Sequence, residues 1–201
     1  MWKNILTYAI LPICIAALIY VLITSIAEPD RFAKQEKYRR DLTVERLKDI
    51  RTLQVAFRQE YGRYTASFDT LIDFYKNGQM RVVRQIGSMD DSLAVAQGLV
   101  RRDTIRIAVK DTLLRRPGFS VDSLRIVPVV NQPFEMRATI KKVSGVDVPL
   151  FEACTPYNVV LAGLDRQLII NLMDEKEKVR RYPGLKVGSI DQPNNNAGNW
   201  E

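Results

Sequence analysis

The chain of 201 residues is 26% charged and 46% hydrophobic, proportions that exclude a disordered polymer and suit one globular domain plus a short extra segment. Thirty basic against 23 acidic residues leave a net charge of +7, but beyond Lys3 the bases run from Arg31 to Lys186 interleaved with acids, the pattern of a solvated surface rather than a nucleic-acid groove. Histidine is absent, which excludes Ser-His-Asp and Cys-His catalysis and most zinc sites.

From Ile5 to Ala27 the chain runs through 23 residues without a charge. As a helix this stretch reaches roughly 35 Å, enough to cross a hydrocarbon core. Trp2, Tyr8 and Tyr20 fall towards its two ends, where amphipathic rings favour the interfaces, and Pro12 kinks the span without breaking it. Ser25-Ile26-Ala27 also fits a signal-peptide cleavage site. The apolar core is longer than the ~7–15 residues of such peptides, however, and Lys3 is the whole of its basic region, so a retained anchor over residues 1–27 is the favoured reading. Ile13 before Cys14 is too large for a lipobox. With Cys14 in the span and Cys154 beyond it, no intrachain disulfide is expected.

Residues 28–78 read as two helices. Glu28-Pro29 is expected to close the span, because the residue before proline avoids the α region, with a helix resuming at once to about Glu60. Leu47, Ile50, Leu53, Phe57 and Tyr61 recur at spacings of three and four and form a packing stripe. Arg46, Lys48, Asp49, Arg51 and Arg58 lie opposite, as a wet face. Gly62 then suits a left-handed cap, and Thr65 or Ser67 caps a second helix that buries Phe68, Leu71, Ile72 and Tyr75 and stops at Asn77-Gly78.

Over residues 79–201 the period shifts to two. "MRVVRQIG", "DTIRIAVKDTLL", "SLRIVPVV" and "FEMRATIKKV" read as strands, with Ile105, Ile107 and Val109 on one face and Phe134, Met136, Ala138 and Ile140 inward. "SLAVAQGLV" between the first two is a turn of helix or a linker. "VPLFEA", "QLIINL" and "LKVGSI" follow as short strands, and a polar tail ends the chain. Helices first and strands after predict an α+β class, the amphipathic helix packed on an antiparallel sheet. The tripeptide at Asp69, Asp91, Asp111 and Asp122 (Asp, Ser or Thr, Leu) has no fixed spacing and marks turns.

The span followed by "IAEP" and then "RLKDIRTLQVAFRQEYGRYTASFDTLIDF" resembles the N-terminal helix and corner of type IV pilins and type II secretion pseudopilins, over roughly residues 5–75. In that family a hydrophobic half-helix ends near a proline, and an amphipathic half runs into a corner where Thr65 here replaces the usual proline. "GLKVGSIDQPNNNAGNWE" is similar to the polar, Trp-containing end of the major pseudopilins. The Gly-Phe-Thr-Leu-x-Glu processing motif is absent, as is any glutamate between Ile5 and Ala27. The chain also looks like single-pass membrane proteins of Bacteroidota, a likeness that carries no activity.

Functional residues are sparse. Asp191 and Glu201 frame an oxygen-rich, Asn-rich tail of the kind that suits calcium, and the resemblance implies calcium near such loops, yet the two lack EF-hand spacing and an ordered polar tail is the other reading. Trp200 is expected to dock that tail on the domain or on a partner. Residues 174–181 read as a solvated loop or short helix, and Cys154 as a buried, inert thiol. No phosphate loop, paired-carboxylate pocket or basic–aromatic groove stands out, so neither an enzyme nor a cofactor is expected, calcium apart. The expected role is a single-pass inner-membrane subunit of an envelope assembly, contacting membrane lipid and other envelope proteins or further copies of itself, and not nucleic acid. A membrane-tethered ligand-binding or sensing module is the alternative. The resemblance implies a periplasmic domain. Arg31, Lys34, Lys37, Arg39 and Arg40 just after the span argue for a cytoplasmic one.

Overall fold

Helix α1 runs unbroken from Leu11 to Tyr61, 51 residues that reach about 77 Å at 1.5 Å per residue. The computed structural model describes residues 11–86 and 101–201; the first residues of the apolar stretch and "SLAVAQGLV" lie outside them. The break expected at Glu28-Pro29 does not occur: Pro29 sits inside α1. Proline there removes a single backbone donor, a loss that intact turns on both sides absorb.

The two ends of α1 meet different surroundings. Every described side chain from Leu11 to Leu22 is exposed, whereas Leu47, Ile50, Leu53, Ala56 and Phe57 are buried. Two residues correct the expected division of faces. Asp49, assigned to the wet side, is 2% exposed, and Tyr61, assigned to the packing stripe, is 57% exposed. Tyr61 lies on the last turn, past the core, and stacks instead on Phe57 and Phe74, with ring centroids 4.5 and 5.8 Å away.

The corner after α1 is fixed by backbone geometry and one buried amide. Gly62 takes φ +73° and its N–H donates to the Arg58 carbonyl at 2.8 Å, a left-handed stop that favours glycine. Gln54, fully buried, donates to the Thr65 carbonyl at 2.6 Å and accepts from the Thr65 N–H at 3.2 Å. Helix α2, Phe68–Asn77, follows with Ser67 as its N-cap and buries Leu71, Ile72 and Phe74; Phe68 and Tyr75 are only half-buried.

Strands β1 (Gln79–Ile86) and β2 (Arg101–Ala108) form an antiparallel ribbon, and a 3₁₀ turn at Val109–Asp111 buries Val109. "SLRIVPVV" is not a strand. It forms a 3₁₀ turn, Val121–Arg125, and then a loop closed by one bridge between Ile126 and Pro133. Pro128 has no N–H for a ladder, and Val129 at φ +72° turns the chain back on itself. Strands β3 (Glu135–Val143), β4 (Val146–Pro156) and β5 (Gly184–Gly188) make an antiparallel sheet in the order β3-β4-β5. Ile140 is 59% exposed there rather than inward, because it lies near the β3–β4 turn, opposite Pro149.

Between β4 and β5 come a single helical turn, α3 (Tyr157–Val160), and α4 (Arg166–Lys178). Helix α4 contains "QLIINL", which the sequence reading takes as a short strand. Asp165 caps it by accepting from the Leu168 N–H at 2.9 Å, and Leu168, Leu172 and Lys176 then fall one turn apart. The described fold is thus α+β with antiparallel sheets. One hydrophobic cluster holds Leu47, Ile50 and Leu53 of α1 together with Phe151 and Ala153 of β4 and Leu185 and Val187 of β5.

Asp49 is the most buried carboxylate in this cluster's surroundings. Arg116 grips it with both guanidinium nitrogens, at 2.9 and 2.5 Å, and also reaches Glu45 at 3.2 Å. Burial pushes the Asp49 carboxyl up and outweighs the downward pull of Arg116. Its stabilising value therefore depends on the arginine staying in place. Arg116→Ala, which strands a buried charge, is expected to cost about 3 kcal/mol in urea unfolding, while the apolar pair Asp49→Leu with Arg116→Leu costs much less. Equal losses in both variants would refute this account.

Candidate functional site

The C-terminal tail folds back as an extra edge on β5. Gly188 N–H donates to Ala197 at 3.0 Å and Asn199 N–H to Lys186 at 3.0 Å, while the Asn199 side chain donates to the Gly184 carbonyl at 2.8 Å. Asn195 and Asn196 adopt consecutive left-handed conformations, φ +54° and +59°, which turn the tail towards α1. Trp200 packs half-buried against the core, and a side chain at Gly198 would collide with its ring. Trp200 thus docks the tail on its own domain. The Glu201 carboxylate is engaged by Arg51 at 2.6 Å and by the Gly198 N–H at 3.3 Å. Asp191 is exposed, and its carbonyl accepts from Lys141 at 2.7 Å. Among the described residues no three acidic or cysteine side chains converge as metal ligands. Cys154 is buried, and that burial raises its thiol above the usual range.

Two clefts of similar size flank α1. One, about 490 Å³, lies between Arg51, Arg58, Tyr64 and Met80 and the turn at Asn195-Asn196. Its polar walls are already joined to each other: Arg58 donates to the Tyr64 hydroxyl at 3.1 Å and Asn196 to the same oxygen at 2.9 Å. The other, about 480 Å³, is lined by Arg40, Asp41, Lys176, Arg181, Tyr182 and Trp200 among others. Three cations face a single carboxylate in that lining. Arg40 pairs with Glu36 at 3.2 Å and lies 3.7 Å from Asp41, and Lys176 meets the exposed Glu175 at 2.9 Å. The Arg181 guanidinium has no partner among the described residues.

Two smaller cavities follow this cleft along α1, each sharing lining residues with the one before. A cavity of about 250 Å³ shares Arg40, Tyr157 and Lys176 with it and adds Phe32 and Leu172. The next, about 330 Å³, shares Phe32 and is lined by Glu28, Arg31, Leu164, Asp165 and Leu168. The linings advance together along both helices, so α4 lies beside α1 in the same sense and the three cavities form one furrow. Arg39 holds this arrangement by donating to the Ala162 carbonyl at 2.8 Å and, more weakly, to Val160 at 3.4 Å. Neither Leu164, Leu168 nor Leu172 could be placed here from a strand reading. The leucine spacing of four was the signal for them.

No family model, no curated protein and no solved structure matches the chain.

The tail contact carries a pH signature. Arg51 holds the Glu201 carboxyl below its usual range, so the contact is present above the ordinary glutamate value near 4.3 and is lost as pH falls through the lowered one. In a Trp2→Phe background, Trp200 emission is expected to shift to longer wavelength on acidification below that value, and to do so already at neutral pH in Arg51→Ala. A Trp200 signal identical in both proteins would separate the tail from the ion pair.

Proposed function

We propose that this chain is a single-pass, membrane-anchored structural or interaction subunit of a bacterial cell-envelope assembly, pseudopilin-like in build and without catalytic activity. The observation that carries this reading is the continuity of α1. Its N-terminal part is the one described helix long and apolar enough to cross a membrane, and its described side chains from Leu11 to Leu22 are exposed. The same helix supplies the central core residues of the head. A helix shared in this way fixes the head rigidly to the anchor, as an assembly subunit requires, where a flexible tether would serve an enzyme equally well.

The amphipathic half of α1 lies over the antiparallel sheet in this reading, the arrangement that the corner at Gly62 and the second helix share with pilins. Tyr38, 59% exposed on α1 between anchor and head, offers a surface for a neighbouring subunit. Placement of the head in the periplasm follows from the same resemblance. The basic residues after the span weigh against it, although Arg39 is spent on backbone carbonyls and Lys34 on Asp30 at 2.6 Å. A tethered ligand-binding module is the second reading, favoured by the cationic, aromatic-lined cleft at Arg181 and Trp200.

Two experiments separate these readings. Lys142→Cys in a Cys14→Ser, Cys154→Ser background is expected to react with an impermeant maleimide in intact spheroplasts; labelling only after lysis would put the head in the cytoplasm. A photoreactive residue in place of Tyr38 is expected to trap a second membrane protein or a second copy in vivo. Monomeric product alone, at normal expression, would count against the subunit and for the ligand-binding module.

A further inference from the structure

The furrow between α1 and α4 has a gradient of chemistry along its length. At the membrane-proximal end Glu28, Arg31 and Asp165 leave it close to neutral, and Phe32, Leu164 and Leu168 give it apolar walls. Leu172 continues the apolar side past Glu36. At the far end Arg40, Lys176 and Arg181 outnumber Asp41. The lower cavities, about 330 and 250 Å³, are too small for a helix ~10 Å across but suit a hydrocarbon chain. From Glu28 to Arg40 the helix rises about 18 Å, close to the ~15 Å that a lipid tail covers in half a hydrocarbon core. Glu28 follows directly on Ala27, the last residue of the apolar stretch.

We infer that this furrow holds an anionic phospholipid drawn from the adjoining leaflet, an acyl chain lying along Phe32, Leu164, Leu168 and Leu172 and the phosphate at Lys176 and Arg181. The inference rests on the reading of α1 as a membrane anchor, which supplies the lipid's entry. Arg181 provides a guanidinium free to form a bidentate contact with phosphate. Arg40, already facing Glu36 and Asp41, and Lys176, already paired with Glu175, lend the site less charge. Glu36 and Asp41 in turn select against a second anion, so one headgroup fills the site. A soluble anion would use the charged end alone and leave the leucine row without a purpose.

The test uses the full chain reconstituted in phosphatidylcholine vesicles containing phosphatidylglycerol with a photoreactive group midway along one acyl chain. Crosslinks are expected on peptides bearing Phe32, Leu168 and Leu172. Lys176→Glu with Arg181→Glu, both at the surface, is expected to reduce them about tenfold. Leu172→Trp, which fills the narrow cavity, is expected to do the same with the thermal unfolding midpoint unchanged. Crosslinks confined to residues 11–27, equal yield from photoreactive phosphatidylcholine, or displacement by millimolar glycerol 3-phosphate would each overturn the proposal, the last by showing a site for free phosphate. Flotation of the same samples tests the anchor separately. Protein that floats without furrow crosslinks refutes the lipid site alone, and protein that does not float refutes the anchor reading beneath it.

Discussion

The structure depends on one helix that is apolar and exposed over its first turns and buried in the core over its later ones. Along α1 the side chains change from exposed, at Leu11 to Leu22, to fully buried at Leu47, Ile50 and Leu53, and no loop separates the two regimes. The head is therefore built around a segment whose direction its own core does not choose freely. Four arginines on α1 carry much of the consequence. Arg39 holds the turn after α3, Arg46 the Ser123 carbonyl and hydroxyl, Arg51 the C-terminal tail and Arg58 the Tyr64 corner. Each reaches a different irregular segment, so the helix helps to order the turns and the tail that connect or follow the strands. Guanidinium groups suit this work, since their stems lie along apolar surface while several donors at the tip meet backbone carbonyls.

Those contacts explain how much was legible in the sequence. The apolar stripe of α1 announced Leu47, Ile50, Leu53 and Phe57 through spacing alone, and the stop at Gly62 through the one residue that takes φ +73° without strain. The strands were readable too, β1 to β3 by alternation and β4 and β5 as short runs bounded by turn residues. Asp49 was not, because a carboxylate on a helix otherwise rich in arginines looks solvated. Its burial depends on Arg116, 67 positions away. Tyr61 failed for the opposite reason, since its periodicity runs on past the point where the core ends.

The furrow was the least legible feature. "QLIINL" is a short apolar run, and such runs fit a strand or a buried helix equally by pattern. What decides the matter is the capping carboxylate of Asp165 and the i, i+4 pair of Gln167 and Asn171, hydrogen bonded at 2.9 Å. Once α4 is a helix, its leucines align with the turns of α1 from Glu28 to Arg40. A surface that no single segment of sequence encodes then appears between two helices 130 residues apart.

An unbroken α1 also ties the rotation of its apolar N-terminal segment to that of the head. Each residue added to a helix turns everything beyond it by about 100° and lifts it by 1.5 Å. The stretch between Ala27 and Thr43 is thus a phase setting as well as a spacer: its length decides which side of the head lies over a given face of the apolar segment, and which way the arginine-pinned loops point. Evolution can vary the sequence of those turns with some freedom. It cannot vary their number by one without swinging the whole domain to a different face.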